Sequence, residues 1–247
     1  MDPSPSIVLL PGLGANRRLF APQLAAFGDR GAVGPDWPER PGTDEPGLDV
    51  DGVAASLGRD LRAAGRLHGD TVLVGFSFGA QVALSLARQA IERDDACPRA
   101  IVLVSGLRRT SQLTRRFRLQ VAAASLLPNA AIGWAAAELV AKPFARACGF
   151  DHQQTLELQR MAAELDVPQF RRLARAACRW RFEDDDERHL REAGVRILHL
   201  HSARDPVIPP PTAACDFEAI EEAAHLLTWT HAARVNQMMA DAIGEAN

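Results

Sequence analysis

The sequence predicts an α/β fold: a mostly parallel sheet of about six strands flanked by helices, with a helical cap inserted. Three observations carry this. Short β-rich apolar runs alternate with helical patterns up to residue 106 and again after 195, the signature of parallel strands joined by crossover helices. The runs TVLV at 71–74 and AIVLV at 100–104 are nearly continuously apolar, as strands covered on both faces are. From Leu107 to Gly194 the alternation stops and only helical segments follow. The expected division is a core of 1–106 and 195–247, with 107–194 inserted as a cap. With 247 residues, 47% of them apolar, one large domain can fill its own core.

In chain order, strands are expected at 6–12 (SIVLLPG), 31–37 (GAVGPDW), 71–77 (TVLVGFS), 100–106 (AIVLVSG), 196–202 (RILHLHS) and 216–223 (DFEAIEEA), the second and last being weak patterns. Helices are expected near 17–27, 51–66, 79–93 and 231–243. The third carries Val82, Ala83, Leu86, Ala87 and Ala90 on one stripe, which suits packing on a sheet. In the cap, Asp166 and Pro168 read as the cap and first turn of a helix. The stretch 121–141 has the length of a membrane span, yet Pro128 and Asn129 break it and Glu138 lies inside. Amphipathic helices, not a membrane span, are expected there. PDWPERPGTDEPG (35–47) and PVIPPPT (206–212) read as loops.

A net charge of −3, with no aromatic-studded basic strip, argues against nucleic acid and for small-molecule chemistry. The cap is the basic part, at net +4 over 107–195 against −7 elsewhere. Cys97, Cys148, Cys178 and Cys215 are scattered without metal spacing, and the amino terminus lacks a secretory pattern. A cytoplasmic location is expected.

The chemistry centres on GFSFG at 75–79, a G-x-S-x-G set between a strand and a helix pattern. Such a turn is too tight for β-carbons at the flanking positions, and it lifts the Ser77 hydroxyl clear of the sheet. Phe76 and Phe78 fill the x positions, with side chains expected to point elsewhere. A serine hydroxyl needs a base at neutral pH, and the base needs an orienting carboxylate. HSARDPVIP supplies Asp205 just past a strand, and EEAAHLLTWTHAARV supplies His225 ahead of the last helix. Taken singly, Asp205 could be a turn former before Pro206 and His225 a packed histidine; together with Ser77 they complete the order Ser, Asp, His. His231 is the competing base, but it looks like a helix start. His199 and His201 share a strand face in a metal-like H-x-H, without the carboxylates a site would need, so no metal and no cofactor is expected. Oxyanion donors are expected at the amides of Phe78 and of Leu13, the latter in the PGLGAN loop.

In order, the strand with PGLG, then GFSFG, HSARDPVIP and AAHLLTWTHAARVN resemble the α/β-hydrolase superfamily over nearly the whole chain. Within it the chain is similar to small capped carboxylesterases, including the pimeloyl carrier-protein methyl esterase type. Pro11, Phe76, Ala223 and Ala224 depart from the common pattern without removing a reacting group, and the early first strand implies a smaller sheet. The resemblance implies a serine esterase that cleaves carboxylic esters of small or medium acyl groups through an acyl-enzyme. A thioesterase, a carrier-protein methyl esterase, a carbon–carbon bond hydrolase or a non-catalytic binding protein would share these residues. Gly14, Trp134, Ile208 and Leu226 are the candidate substrate contacts, and Leu126, Leu127, Phe144 and Trp180 could wall the pocket or fill the cap core. The arginines of LRRTSQLTRRFR (107–118) could meet an acidic acyl carrier protein or simply face solvent.

Overall fold

Alternation along the first strand sets the architecture. In the computed structural model, which describes residues 5–37, 49–211 and 215–244, Val8 and Leu10 of β1 (Ile7–Leu10) face one apolar layer and Ile7 and Leu9 face another. The same division runs through β2 (Val72–Phe76) and β3 (Ala100–Val104), where Leu73, Ile101 and Leu103 join Val8, while Val72, Val74 and Val102 join Ile7. With β4 (Arg196–Ser202) and β5 (Glu218–Ile220) they form a five-stranded sheet in the order β1-β2-β3-β4-β5, every neighbouring pair parallel. Each buried aliphatic side chain stabilises such a layer by roughly 1.5–3 kcal/mol.

Five strands form among the described residues where about six were expected. The segment 31–37 contributes one β-bridge, Val33 to Val8, with Leu9 N–H donating to the Val33 carbonyl at 2.8 Å. Gly31, Gly34 and Pro35 crowd the two apolar residues between them, and proline cannot donate to a ladder, so no longer strand can grow. From Pro38 to Gly47 the expected loop lies outside the described residues, as does Thr212 of the second proline-rich stretch.

Parallel neighbours require crossover helices. The expected helix at 17–27 divides into a 3-10 turn (Arg17–Phe20) and α1 (Ala21–Phe27), with Pro22 in the first turn of α1. α2 (Val50–Ala63) opens on Asp49, whose carboxylate accepts from Gly52 N–H at 2.8 Å. α2 and α3 (Phe78–Glu92) cover one face of the sheet. Beyond β3 come α4 (Arg115–Ala124), α5 (Asn129–Ala135), a π-helical turn (Ala136–Val140), α6 (Ala141–Ala147), α7 (His152–Ala163) and α8 (Val167–Arg179). Asp166 caps α8 as its pattern predicts, accepting from Gln169 N–H at 2.9 Å. The limits 107–194 also take in α9 (Asp184–Glu192), which packs on α3 and β4 beside the sheet. A short α10 (Leu227–Thr230) leads into α11 (Ala232–Ile243), which with α1 covers the other face.

α3 is buried nearly all round, not on one stripe, because α8 and the residues after it lie over its outer side. Gln81 donates from Nε2 to the Ala177 carbonyl at 3.3 Å, and the Trp180 indole donates to Ser85 Oγ at 3.1 Å. The insertion is thereby tied to the helix that begins at the serine turn.

The foot of the insertion is an ion-pair cluster. Arg108, 1% exposed, grips Glu187 of α9 through Nε at 2.8 Å and Nη2 at 2.5 Å, and donates from Nη1 to the Asp216 carbonyl. Arg109 also pairs with Glu187, and with Asp184 at 2.5 Å. Burial pushes the Glu187 carboxyl up, but the two guanidinium groups outweigh it and hold it down at about 2. Two of the five arginines in the stretch expected to meet solvent or an acidic partner, Arg108 and Arg109, are thus turned inward, while Arg115 and Arg118 are exposed.

Candidate active site

β2 ends at Phe76 and α3 begins at Phe78, so Ser77 makes the whole turn, at φ 52 and ψ −113. A non-glycine residue held there costs about 1–3 kcal/mol, and the surroundings show what imposes it. A Cβ on Gly79 would lie 2.0 Å from the Leu10 carbonyl oxygen, and one on Gly75 2.5 Å from the Gly79 carbonyl oxygen. Only hydrogen at both positions lets α3 start this close to β1 and β2. Ser77 N–H is anchored to the Val104 carbonyl of β3 at 3.0 Å.

Three residues beyond β4, the Asp205 side chain is wholly shielded from solvent. Its Oδ1 accepts from the amides of Val207 at 2.8 Å and Ile208 at 2.9 Å, and its Oδ2 meets His225 Nδ1 at 2.6 Å. Burial raises the carboxyl, but His225 and the two amides outweigh it, so Asp205 stays below its ordinary value and ionised. A carboxylate only accepts, which puts a proton on His225 Nδ1, so that in the neutral ring it is Nε2 that carries the lone pair. The Phe76 ring packs 4.9 Å from the His225 ring, centroid to centroid. Phe76 therefore does not point elsewhere: it fills the space beneath the imidazole. Burial pushes the nearby Cys148 thiol up, which keeps it protonated. His231, the competing base, heads α11 and contacts Thr230 Oγ1 at 3.0 Å.

Ser77 and His225 open into one cavity of about 360 Å³. Gly12, Leu13 and Gly14 form one wall, Phe76 and Phe78 flank the serine, and Ile208 and Leu226 come from the Asp205 and His225 loops. Helices α4, α6, α7 and α8 supply Phe117, Val121, Phe144, Leu158, Met161 and Phe170, and the π-helical turn supplies Val140. No Asp, Glu, Lys or Arg lines it among the described residues. Its polar Gln112 is already engaged, the Nε2 donating to the Pro209 carbonyl and the Oε1 accepting from Arg108 N–H.

Ser77, His225, Leu13, Phe78, Gly14, Ile208 and Leu226 are thus brought together, with Asp205 behind His225. Trp134 is not among them. It is 60% exposed, because Ile132 is the residue of α5 that packs inward and a side chain two positions on lies on the opposite side of a helix. Leu126 and Leu127 are exposed as well, and Trp180 is buried in the core, stacked on Phe182. Phe144 does reach the cavity. Phe117, Val121, Met161 and Phe170 went unnoticed in the sequence, since a helix face that lines a cavity has the same apolar spacing as one that fills a core. Among the described residues no group of three or more His, Cys, Asp and Glu stands arranged to hold a metal ion, and no helix is long and apolar enough to cross a membrane.

A family model described as "Alpha/beta hydrolase family" matches residues 7–238. No curated protein matches the chain in sequence. Among solved structures, a thermophilic esterase from Thermogutta terrifontis is similar at 17% identity and TM-score 0.72, covering 95% of this chain and 88% of that one. The type II thioesterase of the borrelidin biosynthetic cluster is similar at 23% identity and TM-score 0.67, covering 98% and 94%. An enol-lactonase from Burkholderia xenovorans is similar at 14% identity and TM-score 0.71, covering 98% and 92%.

Proposed function

Given that the chain belongs to the alpha/beta hydrolase family, we propose that it is a serine hydrolase cleaving small-molecule carboxylic esters of small or medium, uncharged acyl groups. The observation that carries this is the 2.6 Å contact of buried Asp205 with His225, whose imidazole shares an apolar cavity with a serine on strained backbone.

In this reading His225 Nε2 takes the Ser77 proton as Oγ attacks the ester carbonyl. Asp205 holds the imidazole in the Nδ1–H tautomer and stabilises the imidazolium that forms. The negative charge that develops on the carbonyl oxygen falls to the amides of Phe78 and Leu13. Phe78 is the first residue of α3, where a backbone N–H has no acceptor within the helix and the helix dipole is positive. Leu13 sits in a turn closed by Ala15 N–H donating to the Gly12 carbonyl at 3.2 Å, at the cavity wall. His225 then returns its proton to the departing alkoxide. Water, activated by the same imidazole, releases the acid and restores Ser77.

The lining selects for the acyl chain. Burial of apolar surface is its main source of affinity, and a charged acyl group would meet no Asp, Glu, Lys or Arg among the described lining residues to offset its lost hydration. The test is hydrolysis of p-nitrophenyl esters from acetate to decanoate by the wild type and Ser77→Ala. Activity confined to the wild type is the expected result. Equal activity in the mutant would remove Ser77 as nucleophile. A wild type inert on oxygen esters yet active on acyl thioesters would move the reading to a thioesterase.

A further inference from the structure

Behind Asp205 lie two imidazoles for which the triad has no use. His199 and His201 are two apart on β4, so they leave the sheet on the same face, and they are 2% and 0% exposed. His201 Nε2 is 3.1 Å from the Ile208 carbonyl oxygen. That oxygen only accepts, so the His201 proton sits on Nε2 and its Nδ1 is a bare acceptor. His199 Nε2 stands 3.1 Å from that Nδ1 and must donate to it. One tautomer of each ring follows, and His199 Nδ1 is left facing no hydrogen-bond partner.

Both rings are neutral. Burial, then His201 and Arg108, hold His199 well below its ordinary value against the pull of Glu187. Burial also lowers His201, assisted by His225, and the Ile208 carbonyl and Asp205 do not reverse it. The charged groups around the pair are therefore Arg108 and Glu187 on one side and Asp205 on the other.

The chain of contacts ends on the acid. Ile208 is gripped twice, its carbonyl by His201 and its amide by Asp205 Oδ1. His201 Nε2 also lies 3.6 Å from Asp205 Oδ2, the oxygen that meets His225. We propose that His201, its tautomer set by the Ile208 carbonyl and its ring held from behind by the His199 N–H, is a positioning residue for the Asp205 carboxylate. It closes the turn 205–208, whose amides fix one carboxylate oxygen so that the other is aimed at His225. The inference rests on the Ser77, His225 and Asp205 reading above.

Glutamine can imitate the arrangement, donating to the Ile208 carbonyl and accepting from His199; phenylalanine fills the volume and can do neither. Wild type, His201→Phe, His201→Gln and His199→Phe are compared on one p-nitrophenyl ester, with active sites counted by phosphonate titration and folding checked by thermal melts. Loss of one such hydrogen bond predicts a kcat about tenfold lower in His201→Phe at unchanged KM. His201→Gln recovers most of it, and His199→Phe falls between. A folded His201→Phe with wild-type kcat, or a Gln variant no better than Phe, overturns the inference. Should His201→Phe not fold, His199→Phe decides: a kcat loss at constant KM upholds it and an unchanged kcat overturns it. Ser77→Ala is assayed alongside, because activity surviving there defeats the triad reading and not the His201 inference alone.

Discussion

Gly79 and Leu10 touch backbone to backbone: a Cβ on Gly79 would stand 2.0 Å from the Leu10 carbonyl oxygen. The start of the helix behind the serine and the end of the strand before the Leu13 turn are therefore held at one fixed separation. Gly79→Ala should lower stability by about 3 kcal/mol or more, a fall of roughly 6–12 °C in Tm. Gly69, with nothing within 4 Å of its Cβ position, is the control. Gly69→Ala should leave Tm within a degree or two of wild type. Equal melts for the two variants would show that the contact carries no such constraint.

Asp205→Asn replaces an ionised acceptor by an amide, which removes the preference for His225 protonated at Nδ1. kcat on the preferred ester should drop about 10³-fold or more, with KM little changed, since the lost stabilisation belongs to the transition state. Steady-state kinetics on a purified, folded variant check this. A loss confined to KM would instead place Asp205 in ground-state binding.

Glu187 sets an acid limit on folding. Its carboxyl titrates at about 2 in the folded chain against an ordinary 4.5. A depressed folded value means that its contribution is fully present above the unfolded value and is lost as pH falls from about 5 towards 2. Glu187→Gln leaves the buried Arg108 guanidinium without its counter-charge and should cost about 3 kcal/mol at pH 7. The mutant's stability should then fall less steeply than wild type through that acid window. Urea melts at pH 7, 5, 4 and 3 measure both effects, and parallel curves would refute the assignment.

Met161 of α7 lines the cavity, while Trp134 faces solvent. Met161→Trp should shift the chain-length optimum towards shorter esters, with decanoate losing more kcat/KM than acetate by about tenfold. Trp134→Ala should leave the whole series within the scatter of wild type. The p-nitrophenyl ester series read on both variants decides whether the cavity is the acyl site.

Local pattern was enough for the long apolar strands and the serine turn, though not for 31–37, which forms one bridge and no strand. The continuous apolar runs of β2 and β3 need cover on both faces, and GFSFG needs hydrogen at Gly75 and Gly79; both are properties of a few consecutive residues. The proposed order Ser77, Asp205, His225 could be read from local pattern for a related reason, since each residue follows a strand at the same edge of a parallel sheet. Three things were decided only by contacts between residues far apart in the chain. Which side chains of α4 to α8 turn inward depends on how each helix is rolled against its neighbours, which sends Trp134 to solvent and Met161 to the cavity. The fate of the arginines at 108 and 109 depended on Glu187, some eighty residues later, because a guanidinium reads as solvated until a buried carboxylate is brought to it. The His199 and His201 pair looked like half of a metal site. Only the Ile208 carbonyl, placed by the Asp205 turn, determines which of their nitrogens carry protons.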